Sequence, residues 1–299
     1  MTSVILPPAP SEANAAADLL HEAAEVLLTA PNREGCTVRT PEGSTITVSG
    51  DLHDNLPNLA RIAAAADLQE PSNHVVVQEL IHGPILHHGC DLSHRMLLRV
   101  AALILAHRGQ VHPLLGNHEL AQLLRRGVSK GGGNSVEQFE AGLDLAFADD
   151  AELVSGALDV FITAMPLALR TADGVCCAHS MPEPVHLSRF DTGVFDRLLT
   201  DADREGPFGS AYLLTWGRRY NDESLGVLAE AWDVEGFLLG HVHAEMGAEC
   251  RGKRALILNS EHERGTLLKL RPGQRFDGPL LQGSAIALQM LSVPEGALG

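Results

Sequence analysis

The sequence of 299 residues predicts an α/β fold from three observations. Short apolar, β-branched runs alternate along the chain with stretches of helical periodicity. One tight hairpin signal interrupts that alternation, and a 45% hydrophobic fraction supplies a globular core without any apolar run near the ~20 residues that span a bilayer.

Taken in order, residues 11–30 set Ala, Leu and Val at helical spacing with Glu between them, a predicted helix that stops at the Pro31-Asn32 turn signal. Runs at 45–49, 74–78, 111–115, 175–178, 237–239, 255–258 and 266–270 are predicted strands, and 56–68, 95–107 and 224–232 predicted helices. Residues 167–170 and 175–178 flank the Ala172-Asp173-Gly174 turn as a hairpin, so antiparallel pairs are expected beside parallel ones. Gly131-Gly132-Gly133 reads as a flexible loop between helical stretches, and residues from 272 onward, rich in Gly and Pro, as an irregular tail. A single domain over 1–299 accommodates these elements.

Composition narrows the function classes. Lys and Arg number 22 against 38 Asp and Glu, a net charge of −16 that repels nucleic-acid backbones and leaves no basic stripe to track them. Five cysteines without zinc-type CxxC pairs suggest neither a disulfide framework nor a thiolate metal site. The N-terminal stretch lacks the basic start and continuous apolar core of a secretory signal, so cytoplasmic residence with no membrane partner is expected. An anionic substrate would need local positive charge, from a metal or from arginines, to override the acidic exterior.

Metal-type residues stand where the strands end. TITVSG runs into Asp51-Leu52-His53, VHPLLG into Asn117-His118-Glu119, VCCA into His179, and FLLG into His241-Val242-His243. Side chains just beyond the carboxyl ends of α/β strands converge on one crevice. Imidazoles, carboxylates and an amide gathered there form an N/O donor set suited to Mn, Fe, Zn or Ni.

At these residues the chain resembles the calcineurin-like metallophosphoesterases, nearest to their phosphoprotein phosphatase-like branch. Four of the family's five blocks stand in order as Gly50-Asp51-Leu52-His53, Gly116-Asn117-His118-Glu119, Ala178-His179-Ser180 and Gly240-His241-Val242-His243. The second departs: Gln78-Glu79 stands where the family has Gly-Asp, and His82 where it has a second Asp. Glu79 is preferred as that block's ligand because a continuous β-branched strand delivers it. The rival frame at Cys90-Asp91 keeps Asp and Arg spacing, although Asp91 also suits the cap of the helix that follows.

The resemblance implies a four-layer αββα sandwich of two mixed sheets and a site for two divalent ions, with Mn the preferred choice. It implies Asp51, His53 and His243 on one ion, Asn117, His179 and His241 on the other, and Glu79 bridging. A metal-bridging hydroxide would then attack phosphorus, His118 would protonate the leaving oxygen, and His82 would support His118. Trp216-Gly217-Arg218-Arg219 resembles the branch's arginine region, so Arg218 or Arg219 is a candidate clamp for phosphate oxygens. Asp54 and Glu119 are candidates to orient the ligand histidines. A phosphorylated substrate is expected, either a phosphoprotein or a small phosphoester, with serine/threonine phosphatase-like activity first. The alternatives are a nucleotide or dinucleoside polyphosphate hydrolase, or a catalytically silent metal- or phosphate-binding module for which the altered second block argues.

Overall fold

The computed structural model describes residues 6–127, 129–130 and 133–297; Gly131 and Gly132 of the triple-glycine loop lie outside them. Strands that read as unbroken apolar runs rather than alternating ones should be covered on both faces. The structure meets that requirement with two sheets stacked face to face. One sheet runs β1 (Arg33–Glu34), β2 (Thr37–Arg39), β8 (Ala168–Arg170), β9 (Val175–Ala178), β10 (Gly236–Leu239), β12 (Ala255–Leu258), β11 (Ala248–Arg251). The other runs β14 (Ile286–Ala287), β13 (Thr266–Leu270), β3 (Thr45–Asp51), β4 (Asn73–Gln78), β5 (Val111–Leu114). A short hairpin of β6 (Ser129–Lys130) and β7 (Gly133–Asn134) stands apart.

Both sheets are mixed. β3, β4 and β5 are parallel while β13 runs against β3; β9, β10 and β12 are parallel, β8 runs against β9 but parallel to β2, and β11 runs against β12. The expected hairpin is the β8–β9 pair, with Leu169 opposite Cys177.

The core divides accordingly. Val48, Val76, Leu114, Leu169, Cys177, Leu238 and Leu258 interleave between the sheets. Residues of the opposite parity, such as Val75, Val77, Cys176 and Phe237, pack outward against helices. These helices are α1 (Ala13–Thr29), α2 (Leu56–Ala66), α3 (His94–Ala106), α4 (Asn117–Leu123), α5 (Ser135–Phe147), α6 (Ala151–Ala164), α7 (Asp201–Arg204), α8 (Ser210–Trp216), α9 (Asp222–Trp232) and α10 (Gly278–Gly283). α2 lies on β3 and β4, and α1 packs on α6 and α3 through a buried stripe that includes Ala16, Leu20, Ala23 and Leu27. A fully buried leucine such as Leu20 contributes about 1.5–3 kcal/mol relative to an exposed one. The result is the four-layer sandwich. No helix among the described residues is long and apolar enough to cross a membrane.

The segment beyond residue 272 departs from the irregular tail expected of it. Asp277 caps α10 by accepting from Leu280 N at 3.0 Å, Leu281 enters the inter-sheet core, and β14 pairs antiparallel with β13. Leu281 and Ile286 are too sparse among Gly and Pro to make a periodic pattern, and tertiary burial supplies what local propensity lacks.

Candidate metal centre

Both sheets deliver side chains to one crevice. Asp51 ends β3, His53 and Glu79 follow β3 and β4, and Asn117 and His118 open α4 just after β5. From the second sheet, His179 follows β9 and His241 follows β10. Two glycines let these loops meet. A Cβ on Gly50 would stand 1.9 Å from Leu258 O, where β3 crosses to β12, and one on Gly240 would stand 2.3 Å from Asp51 Oδ1. Five site residues other than glycine hold left-handed backbone: His53 (φ 42°), Asp54 (60°), Glu79 (48°), His82 (61°) and His241 (64°). Each such conformation costs on the order of 1–3 kcal/mol and persists where surrounding contacts over-determine it, as they do at functional sites.

The Glu79 carboxylate lies at the centre, 2% exposed. Its Oε2 is 3.4 Å from His53 Nε2 and 3.8 Å from His179 Nε2, and its Oε1 is 3.6 Å from His118 Nε2. Donors bound to one ion at ~2.0–2.2 Å stand about 3–3.6 Å from each other, so these separations are close to those of a shared coordination sphere. The side chains form two groups able to hold a cation, His53–Glu79–His118 and Glu79–His179–His241, with Glu79 common to both.

Neighbouring acceptors fix which ring nitrogen faces inward. His53 Nδ1 meets Ile81 O at 3.0 Å, leaving Nε2 for the site. Gln78 Nε2 donates to Ser49 O at 2.9 Å, which turns its Oε1 to His179 Nδ1 at 3.0 Å. His179 Nε2 therefore presents a lone pair, and it faces Asn117 Oδ1, another acceptor, at 2.9 Å. His241 Nε2 is buried with no hydrogen-bond partner among the described residues. Asp51 and Glu79 come within hydrogen-bonding reach of each other. Converging acceptors and paired carboxylates are the donor set that a divalent cation satisfies, and the residues present fit one.

Electrostatics point the same way. Burial, reinforced by the charges of His241, His118, His53 and Arg218, holds His179 well below the ordinary histidine range. Burial and then Arg218 push His241 down to about 3. Both rings are thus neutral and available as ligands at physiological pH. Burial raises Asp51, the direction a nearby cation would reverse. Glu119, raised by burial to about 7, accepts from Leu80 N at 2.7 Å and Ile81 N at 3.3 Å and so ties α4 to the loop carrying Glu79.

The remaining expected residues divide. His243 does not join the cluster; its side chain is 64% exposed on the rim, with Nδ1 4.0 Å from Glu261 Oε1 and its ring 5.2 Å from that of His262. The left-handed turn at His241, closed by Val242 N on Gly240 O at 2.7 Å, aims the chain outward there. Glu261 Oε2 meanwhile approaches His53 Nε2 to 3.6 Å, a carboxylate that no motif marked. Asp91 lies away from Glu79, on His82 Nδ1 at 2.9 Å and Ser93 N at 2.8 Å. Arg218 and Arg219 are both exposed, and it is the Arg218 charge that bears on His179 and His241. The ring of His82 lies 5.3 Å from that of His118. Gln78, which the sequence offered only as a departure, is the residue that orients His179.

A cluster of N and O donors fit to hold divalent cations, at the junction of two stacked mixed sheets, is the kind of centre that metal-dependent hydrolases use. The calcineurin-like phosphoesterase family matches residues 44–245, and the chain belongs to it. Among solved structures, a protein serine/threonine phosphatase from Saccharomyces cerevisiae with similarity to human phosphatase PP5 has a TM-score of 0.62 at 14% identity, covering 87% of this chain and 83% of that one. A cold-active protein-tyrosine phosphatase from a psychrophilic Shewanella species has a TM-score of 0.52 at 14% identity, covering 89% and 84%. At such identities these likenesses show the fold. No curated protein matches the chain significantly in sequence.

Proposed function

We propose that the chain is a phosphomonoesterase of the serine/threonine protein phosphatase-like kind, working with two divalent ions on a phosphoprotein or a small phosphoester. The observation that carries this reading is the central position of Glu79, whose Oε2 lies within 3.8 Å of both His53 Nε2 and His179 Nε2. Asp51 and His53 would hold one ion, and Asn117, His179 and His241 the other, with Glu79 shared between them. Mn, Fe, Zn and Ni all suit these donors, and Mn is our choice. When bound, the ions supply the Lewis acidity that makes water a nucleophile near neutral pH and neutralise phosphate charge.

The chain's own groups do the rest. Neutral imidazoles bind without adding negative charge, so the crevice can admit an anion. Arg218, the arginine whose charge reaches the two buried histidines, holds the phosphate oxygens. His118 protonates the leaving oxygen, a contribution of about 10²- to 10⁴-fold.

The test is metal reconstitution followed by paired assays on p-nitrophenyl phosphate and p-nitrophenyl acetate, then on phosphoserine peptides and nucleotides. Metal-dependent turnover of the phosphate ester, with phosphopeptides ahead of nucleotides, is the expected result. Loading of both ions without phosphoester turnover, or turnover of the acetate alone, would overturn the proposal.

A further inference from the structure

Behind His118 lies a buried pair that phosphoester chemistry alone does not explain. His82 Nδ1 and Asp91 Oδ2 are 2.9 Å apart and both side chains are 2% exposed. Asp91 is fixed from several sides: its Oδ1 accepts from Ser93 N at 2.8 Å, its N–H donates to Gln138 O at 2.9 Å, and Gly142 of α5 packs so closely that a Cβ there would stand 1.8 Å from Asp91 O. His82 is fixed through its N–H on Ser93 Oγ at 3.0 Å and by the edge-on ring of Phe139 at 5.6 Å. Closing the turn onto Ser93 N ahead of α3 needs only a short polar side chain, which Asn, Ser or Thr would supply as well. A carboxylate buried against an imidazole does more.

An ionised carboxylate only accepts, so the proton of His82 sits on Nδ1 and its lone pair on Nε2. That Nε2 is buried with no hydrogen-bond partner among the described residues. The ring of His118 stands 5.3 Å away, centroid to centroid, tilted by 59°. Two imidazoles whose N–H and lone pair address each other at ordinary hydrogen-bond length have centroids about 5 Å apart. Burial by itself would raise the Asp91 carboxyl, but the hydrogen bonds from His82 and Ser93 more than offset it and keep that group below its ordinary value.

We propose that Asp91 is a positioning residue that acts through His82 on His118. Asp91 sets the tautomer of His82 and leaves its Nε2 lone pair beside the His118 ring as an acceptor for Nδ1–H; Nε2 of His118, 3.6 Å from Glu79 Oε1, is then the nitrogen turned toward the leaving oxygen. The kinetic part of this inference rests on the phosphomonoesterase reading above.

Asp91→Asn tests it. Asparagine keeps the acceptor for Ser93 N but can present an N–H to His82, which reverses the tautomer and faces an N–H at His118. Turnover of a phosphoserine peptide, whose leaving oxygen needs the proton, should fall by about 10- to 100-fold, with a loss on p-nitrophenyl phosphate at least about tenfold smaller. Metal content should not change, and adding Asp91→Asn to His118→Asn should cost nothing further. His82→Gln, which leaves the Asp91–Ser93 turn intact, should show the same selectivity if Asp91→Asn folds poorly. Nitrogen NMR of the His82 ring should show Nδ1 protonated in the wild type and Nε2 protonated in Asp91→Asn. Equal losses on both substrates, or a further loss on the His118→Asn background, would overturn the relay while leaving the phosphatase reading intact. A wild-type His82 protonated at Nε2 would overturn it whatever the protein hydrolyses.

Discussion

Glu79 and Asp91 compete in the sequence for one role, and side-chain geometry separates them. Glu79 faces three imidazoles, His53, His118 and His179, while Asp91 faces His82 and the start of α3. Glu79→Ala is accordingly expected to lose one equivalent of metal and Asp91→Ala none, as measured by elemental analysis of the purified proteins. An exchange of the two outcomes would return the bridging role to the Cys90-Asp91 frame. Asp51→Asn and His241→Ala should each lower metal content and abolish turnover together, because Asp51 Oδ1 also fixes the His241 loop by accepting His241 N at 2.9 Å. Full metal and near-normal rates in both variants would remove these residues from the ligand set. For the arginines, Arg218→Ala should raise KM for phosphate esters while Arg219→Ala leaves it within about twofold. Equal effects would mean that neither is placed as its charge suggests.

At the scale of an element, α1 shows how stability and site are separated. Leu20 is fully buried in a helix that packs on α6 and α3, and α1 itself supplies no candidate ligand. Leu20→Ala should cost about 2–5 kcal/mol of folding stability through lost transfer energy and a residual cavity. The metal stoichiometry of the folded protein should be unchanged. Denaturant unfolding read beside metal analysis checks this, and a drop in metal at full folding would show that α1 transmits to the site.

Across the whole molecule, the layer between the sheets carries an acid sensitivity. His74 on β4 and His112 on β5 meet there, Nδ1 to Nε2 at 3.0 Å, both nearly inaccessible. Burial, then the neighbouring His74, pushes His112 down to about 3, and burial lowers His74 as well. The unfolded chain binds a proton on His112 near its ordinary value of ~6.5, while the folded protein refuses it until far lower pH. His112 therefore adds no pH dependence above that ordinary value, and folding stability falls as pH drops toward about 3, by up to about 1.4 kcal/mol per pH unit for this one group. His112→Gln, which retains hydrogen-bonding atoms but does not titrate, should flatten the stability profile of the metal-free protein between about pH 6 and 4. An unchanged slope would show that His112 does not carry the dependence.

Local pattern determined much of this protein. The alternation of apolar runs and helical stretches located β3, β4, β5, β9, β10, β12 and β13 to within two residues at either end, because burial on both faces leaves its trace within a single segment. The same strand ends marked Asp51, His53, Asn117, His118, His179 and His241, which the fold does bring together. Short strands such as β1, β2 and β14 left no such trace, since two or three residues cannot express a period. Tertiary structure alone decided that β13 lies beside β3 and β2 beside β8, pairings between segments more than 100 residues apart. It also turned His243 to the rim, gave Gln78 the task of orienting His179, and joined Asp91 to His82. A side chain's direction follows from backbone angles, such as the left-handed turn at His241, and those angles are imposed by contacts with distant residues that no window of sequence contains.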